Sequence, residues 1–152
     1  MRHDISIRIG FDPDRFGRNF WDRVALATNI VCSKLQGEIM QEAPKGATKA
    51  LYRSVGFHVT RSRGVRAKVG VMVKYAEPVE RGSRPHMPPV APIELWVRRK
   101  LGKSRPQSQR IAWAIAQTIR RRGTQAQEFV KRVYERRAHQ IGPTIMSLVR
   151  RM

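Results

Sequence analysis

The sequence is short of cysteine, and this limits the chemistry open to the chain. Its 152 residues include one cysteine, Cys32, so no internal disulfide can form. The apolar neighbours Ile30, Val31 and Leu35 predict that this thiol is buried, and buried structural thiols are inert. A chain without disulfides is consistent with a reducing cytoplasm as its place of synthesis.

Long apolar runs are also missing. The longest stretches without Lys, Arg, Asp or Glu span residues 24–33 and 138–149. A membrane-spanning helix needs ~20 apolar residues, so we expect no membrane span and no membrane partner. The first four residues contain no apolar signal core, which predicts no secretion signal.

Residue clusters that carry catalysis are scarce. The four histidines lie far apart along the chain, without the spacing typical of metal ligands. Glu38 and Glu42 are one helical turn apart, which we interpret as a solvated helix face. Glu77 and Glu80 form the other close pair, but two carboxylates rarely complete a coordination shell. We therefore expect no enzyme, no metal and no cofactor.

Acidic residues are few compared with basic ones. Thirty-one Lys and Arg face eleven Asp and Glu, giving a net charge of +20. From Arg98 onward, the sequence contains fifteen basic residues and two acidic ones, Glu128 and Glu135. This imbalance predicts a polyanionic environment, and nucleic acid, an acidic protein surface or an anionic membrane could each offset the charge. Any DNA contact would be to phosphates without base readout. The candidate contact residues are Arg61, Arg63, Arg66, Arg98, Arg99, Arg120, Arg121, Arg122, Lys131 and Arg132.

The N-terminal half shows clear periodicity. Alternation at Ile5, Ile7 and Ile9 predicts a strand. Asp12 and Pro13, with a staple between Phe11 and Phe16, predict the start of a helix that runs to about residue 42. A possible cap at Thr48 precedes a short turn. Residues 55–60 and 65–73 alternate between apolar and polar positions, which predicts a β-hairpin with one apolar and one basic face.

The C-terminal half is predicted to be helical beyond a proline-rich segment. We interpret residues 75–82 as an extended strand end turned by Pro78 and Gly82, and residues 76–92 as an irregular assembly loop. A short helix over 93–101 should end at Gly102, and a second should begin near Pro106 and end at Gly123. The second helix is expected to bury Ile111, Ile115 and Ile119. A capping box over 124–127 predicts a last helix to about residue 140, which residues 142–143 break or kink.

These elements predict one α+β domain over 1–152. A strand and long helix (1–42) would pack with a β-hairpin (50–75) as a small antiparallel sheet. The assembly loop (76–92) and basic helices (93–152) would follow.

The order of several short motifs resembles the tail-component or head–tail joining family of long-tailed phages, whose members include neck and tail-completion proteins. The likeness covers about residues 12–101, and more loosely the helices beyond. Lys49 departs from the family pattern, which has glycine after the threonine. The motifs are Ala43-Pro44, Thr48, Leu51, Ser54-Val55, Tyr75-Ala76, Val79-Glu80, Gly82-Ser83, Met87-Pro88, Trp96, Arg121 to Thr124 and Phe129.

The resemblance implies a non-catalytic virion subunit at the neck or upper tail, made in the host cytoplasm. Six- and twelve-fold homo-oligomeric rings are both open, next to connector, tail-terminator or tail-tube proteins, with genome DNA in the channel as a further candidate partner. Head-to-tail contacts repeated around an axis close such a ring. Glu77, Glu80 and Arg81 could form ion pairs between subunits, or an ion pair within one chain. The candidate interface residues are Tyr75, Glu77, Glu80, Arg81, Met87 and Trp96.

A second function stays open on charge alone. The chain could be a free, basic nucleic-acid-binding protein, whose affinity for DNA would fall steeply as salt rises.

Overall fold

The computed structural model describes residues 4–10, 16–46, 49–62 and 64–152. The fold is α+β, as predicted, with a long N-terminal helix packed on a small antiparallel sheet and helices toward the C-terminus. Phe11, Asp12, Pro13, Thr48 and Arg63, which carried sequence predictions, lie outside the described residues. The elements are β1 (Asp4–Ile9), α1 (Arg18–Glu42), α2 (Ala50–Arg53), β2 (Val55–Ser62), β3 (Gly64–Val71), α3 (Ala76–Arg81), α4 (Val90–Leu101), α5 (Arg105–Arg122) and α6 (Phe129–Arg151).

The chain divides into two compact units. Unit 1 comprises the described residues of Met1–Ala43, Arg53–Val73 and Phe129–Met152, and unit 2 those of Pro44–Tyr52 and Lys74–Glu128. Unit 1 therefore holds the sheet with α1 and α6, while unit 2 holds α3, α4 and α5. The expectation of one domain over 1–152 is not tested by this division and stays a prediction.

The sheet of unit 1 has the strand order β1-β3-β2, with both neighbouring pairs antiparallel. The apolar side chains alternate as the sequence predicts, so Ile5, Ile7, Ala67 and Val69 are buried on one face. Helix α1 packs against β2 and β3. Polar side chains at the intervening positions leave the opposite face exposed.

Helix α1 supplies most of the buried surface opposite the sheet. Its buried stripe steps by three or four residues, which is the spacing of one helix face. Cys32 belongs to this stripe and is fully buried, so the predicted core thiol is confirmed. The predicted end of the helix near residue 42 is also correct. Its start was predicted too early, because α1 begins at Arg18 and the described residues Phe16 and Gly17 before it are not helical. The buried residues are Trp21, Val24, Ala27, Thr28, Val31, Cys32, Leu35 and Ile39.

Helix α6 packs on α1 through an apolar stripe bordered by ion pairs. Arg137 Nε donates hydrogen bonds to both carboxylate oxygens of Glu38, at 3.0 and 2.9 Å. Glu42 accepts from Arg136 at 3.1 Å and from Arg132 at 3.4 Å. Glu38 and Glu42 therefore bind the last helix, and their interpretation as a solvated face was wrong.

The predicted break at residues 142–143 is absent, because α6 runs unbroken from Phe129 to Arg151 with Pro143 inside it. A proline inside a helix costs ~3 kcal/mol through its missing N–H and its ring clash. Ile141, Ile145 and Val149 are buried on either side of Pro143. Burial of such side chains contributes ~1.5–3 kcal/mol each, which is enough to offset the proline.

In unit 2, α4 and α5 are consecutive helices joined by residues 102–104. Gly102 adopts the left-handed conformation that ends α4, as predicted. The two helices pack through Val97, Ala112 and Ala116, which are fully buried. The buried stripe of α5 consists of small residues, Ser108 and these two alanines. The isoleucines at 111, 115 and 119, predicted as that stripe, are half-buried.

Residues 76–81 are helical, so the extended bend predicted over 75–82 was wrong. The irregular loop predicted over 76–92 was wrong there and at residues 90–92, which belong to α4. Pro78 is the third residue of α3. The first turn of a helix has no internal acceptor for its N–H groups, so a proline is tolerated there. The capping box predicted at 124–127 was also wrong, because α6 begins only at Phe129. Residues 124–128 instead form backbone hydrogen bonds with α3 and with Ser83, which follows α3.

Cys32 should react far more slowly in the folded protein than in the unfolded one. Burial raises the pKa of its thiol from about 9.0 to about 11. Since the thiolate is the reactive form, its population at pH ~8 should fall about 100-fold, and burial hinders access further. Timed reaction with a thiol-specific chromogenic reagent, with and without denaturant, measures the ratio. Equal rates in the two states would contradict the placement of Cys32 in the core.

Glu42 should make unfolding pH-dependent on the acid side. Hydrogen bonds from Arg136 and Arg132 hold its pKa below its ordinary value of 4.5. Its contribution to stability is therefore complete above pH 4.5 and is lost as the pH falls through the lowered folded-state pKa. We expect Glu42→Gln to flatten the fall in unfolding free energy below pH ~4.5. Denaturant titrations of both proteins across this range, with pH ~7 as the reference, test it; parallel curves would refute it.

Candidate functional site

Two surfaces of the chain stand out, one in each unit. The first is an apolar groove in unit 2, which we call the unit 2 groove. The second is the exposed face of the sheet in unit 1, which we call the outer sheet face. The unit 2 groove is lined by Pro44, Gly46, Ala50, Leu51, Tyr75, Val79, Pro92, Leu95, Trp96 and Gln127. The outer sheet face is formed by Ser6, Arg8, His58, Thr60, Arg66 and Lys68.

The unit 2 groove has a volume of about 460 Å³. Three of its large side chains are well exposed, with Tyr75 at 48%, Leu95 at 40% and Trp96 at 39% of their full accessible area. Isolated exposed apolar residues are common on protein surfaces, but a contiguous set marks an interaction or ligand site. Tyr75 and Trp96 are 21 positions apart in the sequence, and the fold of unit 2 brings them to one groove.

A close approach of two backbone segments holds the groove's helices in place. Ser83 and Thr124 exchange two backbone hydrogen bonds of 3.1 Å, and their hydroxyls lie 2.9 Å apart. Gly82 and Gly123 flank this bridge with positive φ angles of 75° and 72°. A Cβ at Gly82 would collide with the Thr124 carbonyl oxygen, and one at Gly123 with that of Ser83. Both positions therefore require glycine for conformation and for space.

The segment after Thr124 closes against α3. The backbone N–H groups of Gln127 and Glu128 donate to the carbonyls of Val79 and Glu80, each at 2.9 Å. Glu80 is buried, with 5% of its area exposed. A buried carboxylate is not available for an ion pair with another subunit, so Glu80 has a role inside unit 2.

The other predicted interface residues lie at the surface of unit 2. Glu77 and Arg81 form an ion pair of 3.7 Å one helical turn apart, which is the arrangement within one chain that the sequence left open. Met87 is 43% exposed but does not line the unit 2 groove. Of the six predicted interface residues, Tyr75 and Trp96 are those that the groove brings together. Leu95, which the sequence did not indicate, lies beside them.

The predicted basic contacts are distributed over both units. Arg61 forms an ion pair with Asp22 of α1, and Arg132 one with Glu42, so a carboxylate already neutralises each. Lys131 is exposed on the first turn of α6. Arg98 and Arg99 lie exposed in the last turn of α4, and Arg120, Arg121 and Arg122 lie in the last turn of α5. Cations in a last turn interact favourably with the helix dipole.

Arg66 lies on the outer sheet face, directly opposite Arg8 of β1. The sequence did not single out Arg8, because one arginine in a short strand carries no signal without the strand register. Side chains directly opposite in an antiparallel pair have Cβ atoms ~4.5–5.5 Å apart, and like charges there are destabilising. Neither arginine forms an ion pair with any residue that the structure describes.

Among the described residues, no three His, Cys, Asp or Glu side chains lie close enough to hold a metal ion. Within those residues, no helix combines the length and the apolar character needed to cross a bilayer.

Comparison of the chain with protein-family models, with curated proteins and with solved structures found no match.

Alanine at either bridge glycine should destabilise the fold. We expect Gly82→Ala and Gly123→Ala each to lower the free energy of unfolding by ~2 kcal/mol or more, because backbone strain and collision with a carbonyl add together. Thermal and denaturant unfolding measure the change. The control is Gly142→Ala in α6, where a Cβ meets nothing within 4 Å and alanine is expected to be neutral or stabilising. Equal effects at all three positions would contradict the bridge geometry.

Proposed function

We propose that this protein is a structural subunit of a phage virion, which forms a ring at the head–tail junction as a neck, tail-completion or tail-terminator protein. The observation that carries the proposal is the unit 2 groove, where exposed Tyr75, Leu95 and Trp96 form one apolar surface. Tyrosine and tryptophan are enriched at the residues that dominate protein–protein binding energy.

The motifs that resemble the head–tail joining family have structural roles in unit 2, which supports the proposal. Ala76 is buried, and Gly82-Ser83 pairs with Gly123-Thr124, although the two motifs are 41 positions apart. Two short motifs that are distant in the sequence but contact each other in the fold support the resemblance more strongly than either motif alone. The two glycine motifs of the likeness therefore contain residues that unit 2 requires.

Lys49, the departure from the family pattern, supports the proposal as well. Its φ is +53°, in the left-handed region that glycine adopts without strain. A non-glycine residue costs ~1–2 kcal/mol in that conformation. The backbone at this position thus has the geometry that would favour the family's glycine, although the side chain differs.

The groove suits an assembly protein because one chain can offer it to the next. In a ring, each subunit's groove would receive a different surface of its neighbour, and the contact would repeat until the ring closes. The adjoining connector, tail-terminator or tail-tube proteins would bind the two faces of that ring. We propose neither catalysis nor a cofactor for this role.

Truncation of the groove's tryptophan should weaken assembly. Interface residues of this kind contribute ~2 kcal/mol or more, so Trp96→Ala should raise the dissociation constant of the oligomer at least ~30-fold. Mass photometry and light scattering across a concentration series measure the distribution. The matched control is Trp113→Ala, since Trp113 is 54% exposed on α5 and does not line the groove.

The contrary outcomes are specific. A wild-type chain that stays monomeric at every concentration, and that is absent from purified phage particles, would refute the ring proposal. A monomer that binds DNA tightly would favour the free nucleic-acid-binding protein. Equal loss of assembly in Trp96→Ala and Trp113→Ala would show that the groove is not the contact.

A further inference from the structure

The outer sheet face carries a repulsion that the described chain does not relieve. Arg8 and Arg66 are paired across β1 and β3, and both are exposed. On the next rung, Lys68 lies between Ser6 and His58. The three cations thus occupy two neighbouring rungs of one exposed face, where a single anionic partner can reach them together.

Among the described residues of the three strands, the only carboxylate on this face lies at its far end. Asp4 is opposite Gly70, and its Oδ2 lies 3.9 Å from the Lys68 ammonium. Asp4, Arg8, Arg66 and Lys68 all line a cavity of about 590 Å³ on this side of the sheet. Asp4 neutralises Lys68 alone. Arg8 and Arg66, which line the same cavity, therefore keep their positive charge within the described chain.

From this arrangement we propose that the outer sheet face binds the phosphodiester backbone of double-stranded nucleic acid, with Arg8 and Arg66 each contacting a phosphate. A phosphate at this position would turn the repulsion between the two arginines into two attractive, charge-assisted contacts. The proposal goes beyond the ring function and does not depend on it, because the surface lies within unit 1 of a single chain.

Duplex is the form of nucleic acid that the face fits. Binding of single strands relies on aromatic side chains on which bases stack. Among the described residues of the three strands, no Phe, Tyr or Trp lies on the outer sheet face. Ser6 and the arginines can donate hydrogen bonds to phosphate oxygens, which carry no sequence information.

The decisive experiment removes the arginine pair without changing the opposite side of unit 1. The salt slope is the slope of log affinity against log salt concentration, and each lost phosphate contact removes ~0.9 from it. Because Arg8→Gln/Arg66→Gln removes two contacts, it should weaken binding of a labelled duplex DNA roughly 60-fold at ~0.1 M salt. The salt slope should fall by about two. The control, Arg18→Gln/Arg23→Gln, removes the same charge from exposed positions of α1, which packs on the other face of the sheet. It should change the slope little.

A second variant guards against misfolding. Thr60 lies on the same rung, opposite Arg66, and is exposed. Thr60→Glu places a carboxylate across from Arg66, which should preserve or raise the melting temperature because opposite charges on facing strands attract. The same carboxylate should repel the phosphates and weaken duplex binding. Loss of binding by a variant at least as stable as wild type would assign the effect to the face.

Each remaining result would overturn the proposal. No duplex binding by wild type at ~50 mM salt removes it, and would leave an acidic protein as the partner of this face. Equal weakening in the two double variants means that binding follows net charge. Unchanged binding in Arg8→Gln/Arg66→Gln places the DNA elsewhere on the chain. Tighter binding of single-stranded DNA than of duplex, with the same dependence on the arginines, removes the duplex assignment.

Discussion

The shortage of carboxylates is the constraint on which much of this structure depends. With a net charge of +20, the protein gains most from each acid where two basic elements must come together. Glu38 and Glu42 lie on α1 where three arginines of α6 approach it. Asp22 likewise faces Arg61 of the hairpin. These acids therefore stabilise the packing of unit 1, whereas Arg8 and Arg66 on the outer sheet face form no ion pair with any described residue.

The elements with strong periodicity could be predicted from the sequence. The strand at Ile5, Ile7 and Ile9, the long helix ending near residue 42 and the valine hairpin all follow from alternation or from a three-to-four-residue stripe. Gly102 and Gly123 correctly indicated where α4 and α5 end. In these cases local sequence and tertiary burial favour the same structure.

The errors arose where local and tertiary preferences disagree. Pro78 and Pro143 indicated breaks, but the first lies in the first turn of α3, and the second lies between buried residues of α6. The position of Arg8 opposite Arg66 could not be predicted either, because the two residues are 58 positions apart and only the strand register pairs them. The burial of Glu80 could not be predicted for a related reason. The segment that hydrogen-bonds to its helix, residues 124–128, comes more than ~40 positions later in the sequence.

The composition of unit 1 also has a consequence for how the chain folds during synthesis. The sheet and α1 come from the first half of the sequence, whereas α6 comes from residues 129–151. Until those residues leave the ribosome, the apolar stripe of α1 that α6 covers has no partner, and Glu38 and Glu42 face water. Contacts between segments so distant in sequence are slow to form. Unit 1 can therefore be completed only after every residue of unit 2 has been made.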